Sequence, residues 1–348
     1  MRILHTSDWH LGKSFQNEIE LIDDQRRFGA WLVELVQQRS INVVVIAGDL
    51  FQRAEPSQAA WTLYWEILRD LDAVGCKVVG ISGNHDSSER VGGPEPLLTR
   101  LGITLRGDME RLAEPVVIPD EHGPVEFYPL PYLQPYHAGH VLGLPDGSRS
   151  HEAVLGEAIS RVRSRAHDGR TVLVAHAFVR DGKTSESELE LVGGESQVPA
   201  SLFEGFTYVA LGHLHTFQTC GSETICYSGS PLPYSFSETA DKQVVLVELD
   251  ANGISNIEPI RCDVGRQSKI LQGTLDDLLD NPDYTEFEDR FILARITDPD
   301  RIFDAKSRIE QRFPHLVRIE WVGLRQIEHQ RVKARSSATE RVMEFLTT

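Results

Sequence analysis

The sequence predicts a layered α/β protein with a smaller α/β domain near its C-terminal end. Two observations predict this fold class: apolar strands alternate with amphipathic helices, and the alternation stops near residue 265 and then resumes on a smaller scale. The chain of 348 residues also exceeds the usual domain length of about 100–200 residues. We therefore expect a large domain over residues 1–265, a small domain over residues 266–335, and the start of a tail over residues 336–348.

Short apolar runs rich in β-branched residues predict the strands of the first domain, and apolar residues three and four positions apart predict its helices. The predicted strands are residues 2–6, 43–47, 77–81, 171–175, 208–211 and 243–248. The predicted helices are residues 21–36 and 57–73, with Ser57 as the N-cap of the second. In the small domain, residues 291–296 and 316–321 predict strands on either side of a helix at residues 302–313.

Composition restricts the class of protein. Hydrophobic residues make up 41% and charged residues 25% of the chain, as in an ordinary globular protein. No apolar run reaches the roughly 18–20 residues that a membrane span needs, and polar residues follow the initial Met too soon for a secretory signal. The four cysteines form no CxxC pair, so neither a disulfide framework nor a zinc knuckle is predicted. We expect a cytoplasmic protein that does not associate with membranes.

The net charge of the chain is −17. A strongly acidic surface repels phosphate backbones, since Lys and Arg carry most of the non-specific affinity for nucleic acids. Charge alone therefore predicts that this protein does not bind DNA.

Metal-type ligands follow the predicted strands of the first domain. They are Asp8, His10, Asp49, Asn84, His176, His213 and His215. Open α/β sheets place their sites at the carboxyl ends of strands, and residues i and i+2 of an extended segment point to the same side. Mixed nitrogen and oxygen donors suit Mn²⁺, Fe²⁺ or Zn²⁺. Seven donors are too many for one tetrahedral ion, so the pattern predicts a two-metal hydrolytic site with ions about 3.5–4 Å apart. Each motif alone is also compatible with an ordinary turn, and it is their combination that favours a site.

The sequence resembles the calcineurin-like metallophosphoesterases, and within them the branch of Mre-type DNA repair nucleases that includes the bacterial SbcD subunits. The motifs that carry the resemblance are Asp8-Trp9-His10, Gly48-Asp49, Gly83-Asn84-His85-Asp86, His176, Gly212-His213-Leu214-His215 and Tyr227-Ser228-Gly229-Ser230-Pro231. The resemblance extends over roughly residues 1–335. It implies a layered α/β/α metallophosphoesterase sandwich with a small C-terminal α/β capping domain that orients a DNA duplex.

The resemblance also implies a role for each motif residue. Asp8, His10 and His215 would hold one metal ion, and Asn84, His176 and His213 the other. Asp49 would bridge the two ions, which are expected to be Mn²⁺, with Mg²⁺ as the alternative. His85 would act on the phosphate and help to protonate the leaving oxygen, a task for which an imidazole is well suited near neutral pH. Asp86 would position His85.

The function implied is that of a DNA nuclease subunit with 3′→5′ exonuclease activity on double-stranded ends and endonuclease activity on single-stranded or hairpin DNA. Its implied partners are DNA, an SbcC-like ATPase subunit and a second copy of the chain, and the tail at residues 336–348 would begin the segment that binds the ATPase.

Three other interpretations stay open on the sequence. A small-nucleotide phosphodiesterase of the same superfamily would use the same ligands without needing a capping domain. A scaffold with a decayed metal site would lack some of the ligands, and here every ligand position is filled. A protein Ser/Thr phosphatase is disfavoured, because Gln52-Arg53-Ala54 and Asp86 stand where those enzymes carry Asp-Arg-Gly and Glu.

Overall fold

The structure is a computed structural model that describes residues 1–180, 182–185 and 197–324. It divides into two compact units, Met1–Gln267 and Ser268–Thr348. The predicted tail at residues 336–348, and residues 325–335 of the predicted small domain, lie outside the described residues.

The first unit contains fourteen strands within the described ranges. They are β1 (Arg2–Thr6), β2 (Ser14–Phe15), β3 (Ile19–Glu20), β4 (Val43–Ile46), β5 (Lys77–Ile81), β6 (Ile103–Arg106), β7 (Val116–Asp120), β8 (Gly123–Pro129), β9 (Arg170–His176), β10 (Tyr208–Gly212), β11 (Gln218–Cys220), β12 (Ser222–Tyr227), β13 (Gln243–Asp250) and β14 (Gly253–Arg261). Its helices in the same ranges are α1 (Ile22–Gln38), α2 (Gln58–Ala73), α3 (Ser88–Gly92), α4 (Glu95–Leu98), α5 (Pro135–Val141) and α6 (His151–Arg165).

Most of these strands form two six-stranded sheets. The first sheet has the order β14-β13-β1-β4-β5-β6, and the second has the order β11-β12-β10-β9-β8-β7. In the first sheet β1, β4, β5 and β6 run parallel, and in the second sheet β8, β9, β10 and β12 do so. Parallel pairs bring the carboxyl ends of their strands to one edge of a sheet, and each sheet therefore offers one such edge to the site.

The two sheets pack face to face. Val43 and Val45 of the first sheet share a fully buried apolar cluster with Val172 and Val174 of the second. A strand that is buried on both faces reads as a continuous apolar run, which explains why β1, β4, β5, β9 and β10 were predictable from the sequence. The internal strands β8 and β12 were not predicted.

Helices cover the outer faces of the two sheets. Side chains of α1 and α2 share one core cluster with the first sheet, and those of α5 and α6 share another with the second. The predicted layered α/β fold is thus confirmed, and the middle of the sandwich consists of two sheets. The predicted N-cap is present as well, since the Ser57 hydroxyl accepts a hydrogen bond from the Ala60 N–H at 3.3 Å.

The second unit is a small α/β structure with its own core. It contains the parallel strands β15 (Ser268–Gly273), β16 (Phe291–Ile296) and β17 (Leu316–Trp321), and the helices α7 (Leu275–Asp280) and α8 (Ala305–Arg312). Leu278, Ile292 and Ile309 are fully buried in one cluster that joins the helices to the sheet. The sequence did not predict β15, whose burial does not alternate, since the consecutive residues Lys269 and Ile270 are both exposed.

No helix in the described ranges combines the length and the apolar character that crossing a bilayer would require.

Candidate metal centre

The structure brings the seven predicted ligands together at the carboxyl ends of strands from both sheets. Asp8 and His10 follow β1, Asp49 follows β4, and Asn84 follows β5. In the second sheet, His176 is the last residue of β9, and His213 and His215 follow β10.

Backbone hydrogen bonds hold the loop after β1 against the loop after β4. The Asp8 N–H donates to Gly48 O at 3.0 Å, and the His10 N–H donates to Asp49 O at 3.0 Å. Asp8, His10 and Asp49 have positive φ angles of 54°, 43° and 51°. This conformation costs of order 1–3 kcal/mol for a residue other than glycine and is concentrated at functional sites. The backbone that positions these three side chains is therefore strained.

The first of the two ligand sets that the resemblance implied consists of Asp8, His10 and His215. One ligand atom from each of the three lies within 4.8 Å of the others. The Nε2 atoms of His10 and His215 face each other at 3.2 Å, and both side chains are buried. The backbone N–H of His213 donates to both carboxylate oxygens of Asp8 at 3.1 Å, which fixes the plane of that carboxylate.

The second set consists of Asn84, His176 and His213. Asn84 Oδ1 lies 2.8 Å from His176 Nε2 and 3.2 Å from His213 Nδ1. On the other side of the His176 ring, Nδ1 lies 2.9 Å from the carbonyl oxygen of Ala47. Because a carbonyl oxygen only accepts, His176 Nδ1 carries the proton and Nε2 presents a lone pair to the site.

Asp49 lies between the two sets. Its Oδ2 is 3.5 Å from His10 Nε2 and 3.5 Å from His176 Nε2. Its Oδ1 accepts a hydrogen bond from the His85 backbone N–H at 2.9 Å. One oxygen of Asp49 is thus at the same distance from a histidine of each set.

Burial favours the neutral imidazoles of His10 and His213. Loss of hydration lowers the pKa of His10 well below its ordinary value, and the nearby positive charge of Lys13 lowers it further. The pKa of His213 falls to about 3 for the same main reason. For Asp49, burial alone would raise the pKa, but the surrounding imidazoles and the His85 N–H lower it. Neutral imidazole and ionised carboxylate are the forms that bind metal ions.

His85 lies beside the first set, and its ring centroid is 4.7 Å from that of His10. His85 Nδ1 is 2.9 Å from Gln52 O, so Nδ1 carries a hydrogen and donates a hydrogen bond to this carbonyl oxygen. Its Nε2 atom is buried and has no hydrogen-bond partner among the described residues. A basic nitrogen is therefore held at the site with its lone pair unused.

Asp86 acts on the loops that carry the site. Its carboxylate accepts hydrogen bonds from the backbone N–H groups of Leu50 at 3.0 Å, Phe51 at 2.9 Å and Gly83 at 2.8 Å. Burial and then the charge of Asp49 raise the pKa of Asp86 to about 7, against the effect of these three bonds. Asp86 thus ties the loop of His85 to the loop that includes Gln52, and its role in positioning His85 stays a prediction.

The donor set fits two divalent ions. It contains two carboxylates, one amide oxygen and four imidazoles, and these are the donors that borderline and hard divalent ions accept. The Nε2 atoms of His10 and His215 are 3.2 Å apart, close enough for one ion to contact both. The clustered Asp and His side chains are thus suited to two metal ions, as the resemblance implied.

Sequence reasoning missed the residues that support the first set from behind. The Tyr234 hydroxyl lies 2.8 Å from the carbonyl oxygens of both Asp8 and Trp9. The buried Glu238 faces His215 Nδ1 at 3.8 Å. Burial would raise the pKa of Glu238, but Lys242 and His215 outweigh it and lower this pKa. The segment that contains Tyr234 and Glu238 has no periodic apolar pattern. In the sequence, only the preceding motif at residues 227–231 indicates that this part of the chain contributes to the site.

Gly83 provides a sharp test of this geometry. A Cβ atom at this position would lie 2.1 Å from Asp49 Oδ1 and 2.3 Å from the Asp49 backbone nitrogen. We expect Gly83→Ala to displace Asp49 and to abolish the binding of Mn²⁺ in isothermal titration calorimetry while the fold persists by circular dichroism. Gly169→Ala is the matched control, because a Cβ there meets nothing within 4 Å. Full Mn²⁺ binding by Gly83→Ala would contradict the position of Asp49.

Among the proteins of known structure that are similar to this chain, two illustrate the extent of the likeness. A protein from Thermus thermophilus is 13% identical with a TM-score of 0.44, and the alignment covers 75% of this chain and 98% of that one. A dimetal phosphatase from Danio rerio is 13% identical with a TM-score of 0.40, covering 76% of this chain and 99% of that one. Likenesses of this size carry no argument about activity.

The match to a family model is more informative. Residues 1–217 match the model of the calcineurin-like phosphoesterases. This match covers more than half of the chain, begins at the first strand and ends just after His215. It therefore includes every predicted ligand, and the chain belongs to the calcineurin-like phosphoesterases, a family of phosphoester hydrolases.

Proposed function

We propose that this protein is a DNA nuclease subunit of the SbcD type that hydrolyses phosphodiesters with two Mn²⁺ ions. It would act as a 3′→5′ exonuclease on double-stranded ends and as an endonuclease on single-stranded or hairpin DNA. The observation that carries the hydrolytic part of the proposal is the position of Asp49, whose Oδ2 is 3.5 Å from a histidine of each ligand set.

The DNA part of the proposal is supported by the motifs outside the ligands themselves. Residues 1–12, 47–51 and 227–231 read like the corresponding segments of SbcD-type nucleases. The same resemblance supports an SbcC-like ATPase and a second copy of the chain as partners, and a cytoplasmic location.

The acidity of the chain is compatible with a DNA substrate if the charge of the site is considered separately. Two divalent ions would add four positive charges within the ligand cluster, and bound cations are often the largest local charges in a site. The remaining negative charge disfavours long-range attraction of DNA, so the ATPase partner would supply most of the affinity.

The chemistry of the chain's own residues follows from the geometry. Two divalent ions, when bound, would polarise the phosphodiester and make a nucleophilic water available near neutral pH. Asp49 would hold both ion positions with one carboxylate, and its Oδ1 fixes the main chain of His85. His85 would take up a proton at Nε2 and deliver it to the leaving oxygen, while its Nδ1–H remains bonded to Gln52 O.

The proposal is tested by offering the purified full chain three kinds of substrate in an excess of Mn²⁺. In the control, EDTA replaces Mn²⁺. The substrates are a hairpin oligonucleotide, a linear duplex labelled at either end, and a set of cyclic mono- and dinucleotides. We expect scission of both DNA substrates in Mn²⁺, loss of scission in EDTA, and recovery when Mn²⁺ is added back. The labelled duplex shows whether digestion starts at the 3′ end.

Two results would overturn the proposal. Turnover of the cyclic nucleotides without scission of either DNA would favour the small-nucleotide phosphodiesterase. Absence of hydrolysis of any of these substrates by a chain that binds two Mn²⁺ ions would leave the family assignment intact and reject DNA as the substrate.

A further inference from the structure

We propose that Glu238 is a positioning residue that orients His215 toward the first metal position, and that Lys242 fixes the orientation of the Glu238 carboxylate. Glu238 Oε1 lies 3.8 Å from His215 Nδ1, while His215 Nε2 points to His10 on the opposite side of the ring. The inference rests on the two-metal centre of the proposed function and is independent of its DNA substrate.

The ion pair behind His215 is buried and fully bonded. The side chain of Glu238 is 0% exposed and that of Lys242 is 4% exposed. Lys242 Nζ donates to Glu238 Oε2, to Ser230 Oγ at 2.8 Å and to His215 O at 3.0 Å. Because an ammonium has three protons, these three acceptors use its full capacity. Lys242 therefore holds the Glu238 carboxylate and the main chain of His215 in one arrangement.

Such a pair is not explained by stability alone. The desolvation of two buried charges offsets most of their attraction, and well-packed apolar residues of similar volume are often equally stable or more so. A buried carboxylate behind a metal-binding histidine has a known chemical use, because it favours the proton on Nδ1 and leaves the Nε2 lone pair for the metal. The arrangement of Glu238 fits that use.

The segment that contains Glu238 also approaches other parts of the first ligand set. Ser228 Oγ lies 2.9 Å from Ser7 Oγ, and the Ser7 hydroxyl donates to the carboxylate of Asp8. At Gly229 the main chain comes so close that a Cβ atom would lie 2.8 Å from His215 O. This segment therefore supports both Asp8 and His215, so a positioning role for Glu238 agrees with its surroundings.

Glu238→Gln tests the role of the carboxylate with almost no change of shape. Lys242 Nζ donates to Oε2 and the Tyr234 N–H donates to Oε1 at 3.2 Å, so a single amide oxygen can satisfy only one of these donors. The charged ammonium makes the stronger hydrogen bond, so we expect the amide oxygen at the Oε2 position and the amide NH₂ toward His215 Nδ1. A donor then faces the nitrogen that must carry a proton, and the tautomer that binds metal through Nε2 is disfavoured. We expect the Mn²⁺ affinity of one site to fall about 10–100-fold in isothermal titration calorimetry, while the other site keeps its affinity.

The electron paramagnetic resonance spectrum of the two bound Mn²⁺ ions gives a second measurement. Two neighbouring Mn²⁺ ions in the wild type should give an exchange-coupled electron paramagnetic resonance spectrum. At the same Mn²⁺ concentration, Glu238→Gln should give the six-line spectrum of an isolated ion. A merely structural role for Glu238 would lower thermal stability without separating the two sites in this way.

The double variant Glu238→Gln/Lys242→Met distinguishes an effect of the orientation of the residue-238 amide from an effect of side-chain packing. Without Lys242 the amide can rotate and present its oxygen to His215 Nδ1, so we expect the double variant to bind Mn²⁺ more tightly than Glu238→Gln. If packing alone mattered, losing the second partner would weaken binding further. Glu95→Gln is the matched control, because Glu95 is a buried carboxylate that pairs with Arg106 and Arg111 and touches no ligand.

The possible failures are distinguishable. A wild-type chain that binds fewer than two Mn²⁺ ions would reject the metal centre of the proposed function. A wild type that binds two ions, together with a folded Glu238→Gln variant of unchanged affinity at both sites, would overturn only the inference about Glu238. If circular dichroism shows that Glu238→Gln does not fold, Glu238→Asp replaces it. This variant keeps the negative charge and moves the carboxylate away from His215. Unchanged Mn²⁺ affinity at both sites in Glu238→Asp would also overturn the inference.

Discussion

Replacing Asp49 by Asn should reduce phosphodiester hydrolysis by about 10³-fold or more and weaken both metal positions together. Asp49 Oδ2 lies 3.5 Å from His10 Nε2 and from His176 Nε2, so one oxygen serves both ligand sets. An amide has the same shape but neither the negative charge nor two equivalent oxygens. Losing several kcal/mol of charge stabilisation corresponds to this factor, since each 1.4 kcal/mol is about tenfold in rate.

Calorimetric titration of Asp49→Asn with Mn²⁺ checks the metal part of this prediction, and hydrolysis of bis(p-nitrophenyl) phosphate checks the rate. Asp24→Asn is the matched control, because Asp24 is also a buried, ion-paired aspartate, whose carboxylate binds Arg266. The control variant should retain both Mn²⁺ sites and the wild-type rate. A variant at Asp49 that kept one site at full strength would show that this carboxylate serves a single ion.

The part of the site that was predictable from the sequence is the part that lies at strand ends. The strand at residues 77–81 and that at residues 291–296 were predicted with the bounds that the structure has. A buried parallel strand is a short, continuous apolar run, and the polar residue that follows it is conspicuous. Asp49 after β4 and His213 after β10 could therefore be identified as candidate ligands and expected to converge.

The rest depended on contacts between distant segments without a regular period. The edge strands β7 and β11 were not predicted, because β7 alternates between half-buried and exposed residues and β11 has only three residues. Glu238 reaches His215 from an irregular segment 23 residues later in the chain, and local patterns contain no information about such an approach. For Asp86, the resemblance implied a partner side chain, whereas the structure gives three backbone N–H groups.

Replacing His85 by Ala should lower the turnover of DNA by about 10²–10⁴-fold and leave both Mn²⁺ affinities unchanged. His85 belongs to neither ligand set in the proposed arrangement, and its buried Nε2 has no hydrogen-bond partner among the described residues. Its Nδ1 is bonded to Gln52 O, so the ring is fixed with Nε2 available for proton transfer. Removal of the ring should therefore affect the chemical step rather than the binding of metal.

Substrates with different leaving groups distinguish proton donation by His85 from phosphate binding and from metal binding. A deoxyribose oxygen is strongly basic and needs a proton as it leaves, whereas p-nitrophenolate leaves readily without one. The rate defect of His85→Ala should therefore be much smaller with bis(p-nitrophenyl) phosphate than with DNA. His122→Ala, which removes a histidine near the exposed turn between β7 and β8, should behave like the wild type with both substrates. Equal defects of His85→Ala on the two substrates would assign His85 to binding of the phosphate, and loss of an Mn²⁺ site would make it a ligand.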